Sequence, residues 1–287
     1  MSYSEHAIGF VCDDEQLLGI LSQPATPASI GVVIIVGGPQ YRVGSHRQFV
    51  LLARALATAG HAVLRFDYRG MGDSSGTPVD FLNADADIDA AIKALLVQAP
   101  TVKQVALWGL CDAAAAALLY CDGTPDPRVT ALCLLNPWVR SQASLARTQV
   151  KHYYAQRLLQ RAFWAKLLSG HVAIGAVAGL IRNLRLAFKG GGTGAEAQLP
   201  FQTRMANAWR GFGGSLLLIL SGEDYTAKEF LEYANADPAW SGALTRHNLS
   251  RHDLADADHT FSSPQSSRAA EALTLAWLAK LEKSAIS

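Results

Sequence analysis

The residues from 127 to 195 contain no aspartate or glutamate. Ten lysines and arginines leave that stretch at +10, against −6 for residues 1–126 and −3 for residues 196–287. The formal charge of +1 averages out this asymmetry. Charge is sparse overall, at 17% of residues against 50% hydrophobic, which excludes a disordered chain or a collagen-like fibre. Four cysteines in 287 residues are too few for a disulfide scaffold. Cys12, Cys111, Cys121 and Cys133 match no zinc-ligand spacing, and no metal or cofactor is expected. No apolar run reaches the roughly 20 residues needed to span a bilayer. The opening MSYSEHAIGF has neither a basic region nor a long apolar core, so no secretory signal is expected and the chain reads as cytoplasmic, with reduced thiols. The near-neutral charge argues against a nucleic-acid partner.

What is present is an alternation of strand-like and helix-length segments. Residues 7–11 and 17–22 flank CDDEQ and read as an opening hairpin. The apolar run GVVIIV at 31–36 suits a strand buried on both faces. Residues 47–59 have helical periodicity and stop at Gly60. HAVLRFD at 61–67 is the next strand, and 85–99 is a helix with three early aspartates, favoured by its dipole. QVALW at 104–108 precedes an Ala-rich helix at 112–120. Strands are expected at 129–136, 215–221 and 246–254, and a closing helix at 266–281. The succession implies an α/β fold with a mostly parallel sheet covered by helices on both faces.

Chemistry concentrates at the ends of these strands. After QVALW comes Gly109-Leu110-Cys111-Asp112-Ala113. A nucleophile on a tight strand-to-helix turn needs small residues two positions before and after it, and Gly109 and Ala113 meet that need. The turn places Cys111 at a helix N-terminus, where the dipole favours a thiolate. A buried structural cysteine is the competing reading, as for the other three.

An acid and a base follow in chain order. Gly222-Glu223-Asp224 follows one strand and Asp258-His259-Thr260-Phe261 follows the next. His259 would take the thiol proton or sit as imidazolium beside a thiolate, with Asp224 fixing its tautomer. Glu223 is the second candidate acid. Asp253, Asp256 and Asp258 lie too close to His259 along the chain to be preferred. An oxyanion hole would use the backbone N–H of Asp112 and one from the Gly37-Gly38-Pro39-Gln40 loop. Pro39 has no N–H, which leaves Gly38 or Gln40. The Asp112 carboxylate would have to point away, or else cap the helix. The Asp67–Ser74 loop either lines the site or shapes the scaffold, with the scaffold favoured. His46 opens a helix or touches substrate, with the former favoured.

VGGPQ at 36–40, FDYRGMGDS at 66–74, GLCDAA at 109–114, GED at 222–224 and DHTF at 258–261 together resemble the α/β-hydrolase superfamily over nearly the whole chain. VGGPQYRVGSHRQF, FDYRGMGDSSG and GLCDAAAAAL are similar, more narrowly, to the type 1 exosortase A system-associated hydrolases, bacterial proteins linked to exopolysaccharide and protein-sorting loci. The resemblance implies a serine-hydrolase-like fold with cysteine in the nucleophile position, as in dienelactone-hydrolase-like enzymes. It implies core segments at 1–137 and 215–287, with a helical basic lid at 138–214 after the sixth strand.

Within that segment Arg147, Lys151, Arg157, Arg161 and Lys166 are interleaved with aromatic and leucine residues. Three readings stay open. The segment rests on anionic headgroups of the inner membrane leaflet. It holds an anionic small-molecule or carrier-linked acyl substrate, with Arg147 and Lys151 as contacts. Or it pairs with the acidic remainder of the chain. The expected activity is cleavage of an ester or thioester through a cysteine acyl-enzyme. Acyl transfer with the same triad and a non-catalytic binding protein of the same fold are the alternatives.

Overall fold

The computed structural model describes residues 3–38, 40–123, 126–140 and 199–286. The chain divides into two units, 1–139 with 199–287 and 140–198. Residues 141–198, with Arg147, Lys151 and most of the expected lid, lie outside the described residues.

The first unit is built on one eight-stranded sheet in the order β1-β2-β4-β3-β5-β6-β7-β8. Its strands are β1 Tyr3–Cys12, β2 Glu15–Pro24, β3 Ile30–Ile35, β4 Val63–Phe66, β5 Gln104–Leu110, β6 Val129–Leu135, β7 Ser215–Ser221 and β8 Leu249–Leu254. The expected hairpin is β1–β2, longer than the apolar runs because its register runs from Tyr3↔Pro24 to Cys12↔Glu15. β2 is antiparallel to β4, and every pairing from β4 through β3, β5, β6 and β7 to β8 is parallel. That topology carries Cys111, Asp224 and His259 beyond the carboxyl ends of the parallel strands β5, β7 and β8, where open α/β sheets place ligands.

Alternation along the strands fills two cores. Val33, Ile35, Leu64 and Leu107 face helices α2 Asp85–Gln98, α3 Asp112–Tyr120, α4 Phe201–Gly211 and α5 Tyr225–Ala236. Val32, Ile34, Val63 and Trp108 face α1 Gln48–Thr58 and α6 Pro264–Ile286. The central helix α3 is buried from Ala113 to Leu119. Its alanines let it lie close against β5, which fixes the start of the helix relative to the strand end.

α4 and α5 were not apparent in the sequence. Residues 199–214, counted there with the insertion, contain α4, whose Met205, Ala206 and Trp209 are fully buried. Trp209 stacks at 5.5 Å from Trp240 and its indole N–H donates to the Ala243 carbonyl.

Loop charges do structural work. Two of the early aspartates of α2 hold neighbours rather than only facing the dipole. Asp87, buried, accepts from the Arg69 backbone N–H and guanidinium, and Asp89 pairs with Lys93 and Arg128. Asp67, also buried, accepts from the Arg42 backbone N–H at 2.7 Å, from its guanidinium and from the Asp73 N–H. The 67–74 loop is thus a brace for the 37–44 loop. Gly72, with φ of +55°, is needed there because a Cβ would strike the Asp67 carboxylate. His46 lies exposed in a 3-10 turn just before α1, as a helix-opening residue.

Candidate active site

The β5–α3 junction turns at Cys111, which has φ of 64° and ψ of −122°. A side-chain-bearing residue in this region stores on the order of 1–3 kcal/mol of strain, tolerated where the surroundings over-determine it. Here they do: the Cys111 N–H donates to Leu135 O at 2.9 Å, and its carbonyl accepts from the Trp138 N–H at 3.1 Å and from Ala114 and Ala115 of α3. Gly109 is obligatory, since a Cβ would lie 2.6 Å from the Ala113 backbone. Sterics alone therefore explain the small-x-Cys-x-small spacing.

Cys111 is partly exposed, as is Cys121, whereas Cys12 and Cys133 are buried. Burial pushes the Cys12 thiol up to about 11 and the Cys121 thiol up to about 12, and raises Cys133 further. These three are poor nucleophiles at neutral pH.

Asp224 begins α5 as its N-cap, accepting from the Thr226 N–H at 3.0 Å and the Ala227 N–H at 3.3 Å. Its Oδ2 also meets His259 Nδ1 at 2.8 Å. The two cap bonds hold the carboxylate rigid, so it fixes the ring it touches. The acid loop and the histidine loop are tied by the Glu223 N–H donating to Ala257 O at 3.0 Å. Glu223 itself is exposed, and Asp258 is taken by the Ser262 backbone N–H and hydroxyl. Neither replaces Asp224 as the partner of His259.

Buried Asn136, at the end of β6, was not singled out in the sequence. Its amide donates to the Ser221 hydroxyl at 2.9 Å and toward His259 O at 3.4 Å, while its oxygen accepts from the Ser221 N–H. It thereby pins the ends of β6 and β7 to the histidine loop. The available signal was a polar residue directly after the apolar run ALCLL; in the structure it takes a φ of 43°.

Cys111 and His259 share one cavity of about 330 Å³, with Gly37, Gly38, Gln40 and Asp112 on one wall and Phe49, Phe81, Leu110 and Trp138 giving an apolar lining. His46 is not part of that wall. Hydrogen bonding to Asp224 and then to Cys111, against a smaller desolvation cost, pushes the His259 pKa up to about 10. Burial alone would raise the Asp224 carboxyl, but the His259 bond and the cap N–H groups hold it below its usual value.

The His259 side chain is 37% exposed, so solvent screens the stabilisation. Its sign is nonetheless set. The contribution is complete below the ordinary histidine value of 6.5 and lost as pH rises through about 10. That of Asp224 is present above 3.8 and lost as pH falls through its lowered value. An NMR titration of the His259 Cε1–H should therefore give a midpoint near 10, moving down in Asp224→Asn. A wild-type midpoint near 6.5 contradicts the geometry.

The candidate oxyanion N–H groups of the 37–40 loop are both engaged. The Gly38 N–H donates to Asp112 Oδ2 at 2.7 Å, and the Gln40 N–H is directed at Gly37 O at 3.4 Å. The Asp112 side chain does not point away: at the first position of α3 it turns back toward the Gly38 N–H and the first N–H groups of the helix, in the manner of a cap. It folds inward because Gly37 leaves the room: a Cβ there would collide with Asp112 Oδ1. Among the described residues no group of three His, Cys, Asp or Glu side chains is arranged to hold a metal ion. No described helix is long and apolar enough to cross a membrane.

Among solved structures the chain is similar to an esterase from Pyrococcus furiosus, at 16% identity and TM-score 0.64, covering 97% of this chain and 91% of that one. A dienelactone hydrolase from Anabaena variabilis matches at 16% identity and TM-score 0.60, covering 97% and 98%. A proline iminopeptidase from Mycobacterium smegmatis matches at 14% identity and TM-score 0.59, covering 98% and 100%. At these identities the likeness is one of fold. No curated protein is significantly similar to the chain. The Alpha/beta hydrolase family matches residues 32–274, from the start of the parallel sheet into α6, and the chain belongs to that family.

Proposed function

We propose that the protein cleaves an acyl ester or thioester through an acyl-enzyme on Cys111, with His259 as acid and base and Asp224 as its orienting carboxylate. The observation that carries this is the shared cavity. A strained, partly exposed cysteine at a helix N-terminus opens into it beside an imidazole that a capped carboxylate holds at 2.8 Å. The thiolate attacks the carbonyl carbon and forms a C–S bond. The tetrahedral intermediate collapses, the bond to the leaving group breaks, and the His259 imidazolium donates its proton to that group. His259 then takes a proton from water as the water oxygen attacks the thioester. The C–S bond breaks, releasing a carboxylic acid and restoring the thiolate.

An esterase and a dienelactone hydrolase among the structural neighbours support an acyl substrate. The +10 segment at 127–195 suits an anionic one, such as a CoA-type or carrier-linked thioester. The motif likeness to exosortase-associated hydrolases favours a place beside exopolysaccharide or protein-sorting systems. Acyl transfer differs only in the nucleophile that reaches the thioester.

A panel of p-nitrophenyl esters and acyl-CoA thioesters tests the reading, with free acid and acyl-acceptor products separated. Turnover of at least one member is expected, with preference for the anionic thioesters weakening as salt rises. No turnover by the wild type leaves the non-catalytic reading in its place.

A further inference from the structure

We propose that the Asp112 carboxylate plugs the oxyanion hole of the resting site, and that its departure governs how fast an acyl group reaches Cys111. This rests on the acyl-enzyme reading and adds to it a residue that limits the reaction. The hole of this fold is made by the N–H after the nucleophile and one from the loop after β3. Both converge on the same side chain. The Gly38 N–H donates to Asp112 Oδ2 at 2.7 Å, inside the 2.7–3.1 Å range at which such donors hold a developing oxyanion. The N–H groups of Asp112 itself and of Ala113 also favour the charged carboxylate. Gly37 provides the matching space, which any Cβ would remove. The carboxylate thus holds the Gly38 donor that the tetrahedral oxygen would need, with the same negative charge.

A substrate oxyanion and this carboxylate cannot share the N–H groups. The side chain must first rotate out or take up a proton. The groups facing it are the Gly38 N–H, the His259 imidazole and the buried Tyr68 phenol after β4, with Asp85 and Asp87 of α2 acting on the phenol beyond. Burial already raises the Asp112 carboxyl above its usual value despite its three N–H partners, so a plug of this kind is held but not locked.

Two readouts test this with the full chain. The first is stopped-flow acylation by p-nitrophenyl acetate, read as the first-turnover release of p-nitrophenol. Asp112→Ala should acylate faster than the wild type by about tenfold or more, since one oxyanion donor is worth about 10²–10³ in rate. Asp112→Asn keeps the shape but loses the charge, and should fall between the two. The second is a trifluoromethyl ketone, whose cysteine adduct carries an oxyanion. It should bind Asp112→Ala more tightly than the wild type, which a merely structural role for Asp112 would not produce. If Asp112→Ala unfolds early, Asp112→Asn against the wild type decides, with faster acylation supporting the plug. Equal or slower acylation of well-folded variants, with Cys111 acylated in the wild type, overturns the plug alone. No acylation of Cys111 in any form overturns the acyl-enzyme reading and the plug together.

Discussion

Cys111→Ala lowers kcat/KM toward the best ester or thioester of the panel by about 10⁴-fold or more, with folding unchanged. The magnitude follows from the division of labour in the cavity. On the proposed mechanism His259 and Asp224 act on the Cys111 sulfur, so without it their 2.8 Å pairing has nothing to activate. Water cannot substitute efficiently, because it is not held at the turn by the Leu135 and Trp138 backbone bonds that fix Cys111. His259→Ala should cost nearly as much and should not add to it, since residues that act as a unit are strongly non-additive. Stability should change little in Cys111→Ala, because the thiol is partly exposed and packs only against the edge of one core cluster. Kinetics on the two single variants and the double variant, beside urea midpoints, check this. A drop of less than tenfold in Cys111→Ala means that another group carries the reaction.

Gly109→Ala leaves little folded protein. The added Cβ would sit 2.6 Å from the Ala113 carbonyl carbon and oxygen and 2.7 Å from the Ala114 nitrogen, all of them backbone. A flexible side chain could move aside, but here α3 would have to lift from β5. That helix is buried from Ala113 to Leu119 under the centre of the sheet. The cost belongs with the largest single-substitution effects, about 4–5 kcal/mol, which is comparable to the whole stability of a marginal domain. Gly213→Ala is the control: a Cβ there meets nothing within 4 Å. The measurement is the urea midpoint and soluble yield of both variants. Equal midpoints contradict the steric origin of the turn.

Much of the scaffold can be read from the sequence because its central strands are buried on both faces. GVVIIV and SLLLILS are continuous apolar runs, and the structure gives Ile30–Ile35 and Ser215–Ser221. The 85–99 and 112–120 helices lie at Asp85–Gln98 and Asp112–Tyr120. Strand 61–67 is shorter, Val63–Phe66; just outside it the His61 ring meets Ile30 O and the Asp67 carboxylate holds Arg42. The 246–254 strand starts only at Leu249, since the Arg246 guanidinium is drawn to the carbonyls of Trp209 and Phe212.

The two missed helices have weak patterns for identifiable reasons. α5 buries Thr226, Ala227, Phe230 and Ala234, only one of them a large apolar residue. α4 buries Gln202, whose amide donates to the Val139 carbonyl, so polarity masks its inner stripe.

The pairing of Asp224 with His259 was legible because chain order and strand ends constrain it. The direction of the Asp112 side chain was not. It depends on the approach of Gly37 and Gly38, 74 residues away from it along the chain at the closest bond. Asn136 escaped for the same reason, since its partners lie on β7 and in the histidine loop.

The most direct measurement is to trap the intermediate. The protein is mixed with the fastest substrate of the panel, quenched in acid within the first turnover, digested and examined by mass spectrometry. The account predicts one acyl group on the peptide containing Cys111, absent in Cys111→Ala and persistent in a variant that acylates but cannot activate water. Turnover that continues in Cys111→Ala, or acyl groups found on Cys12, Cys121 or Cys133 but not on Cys111, would contradict it.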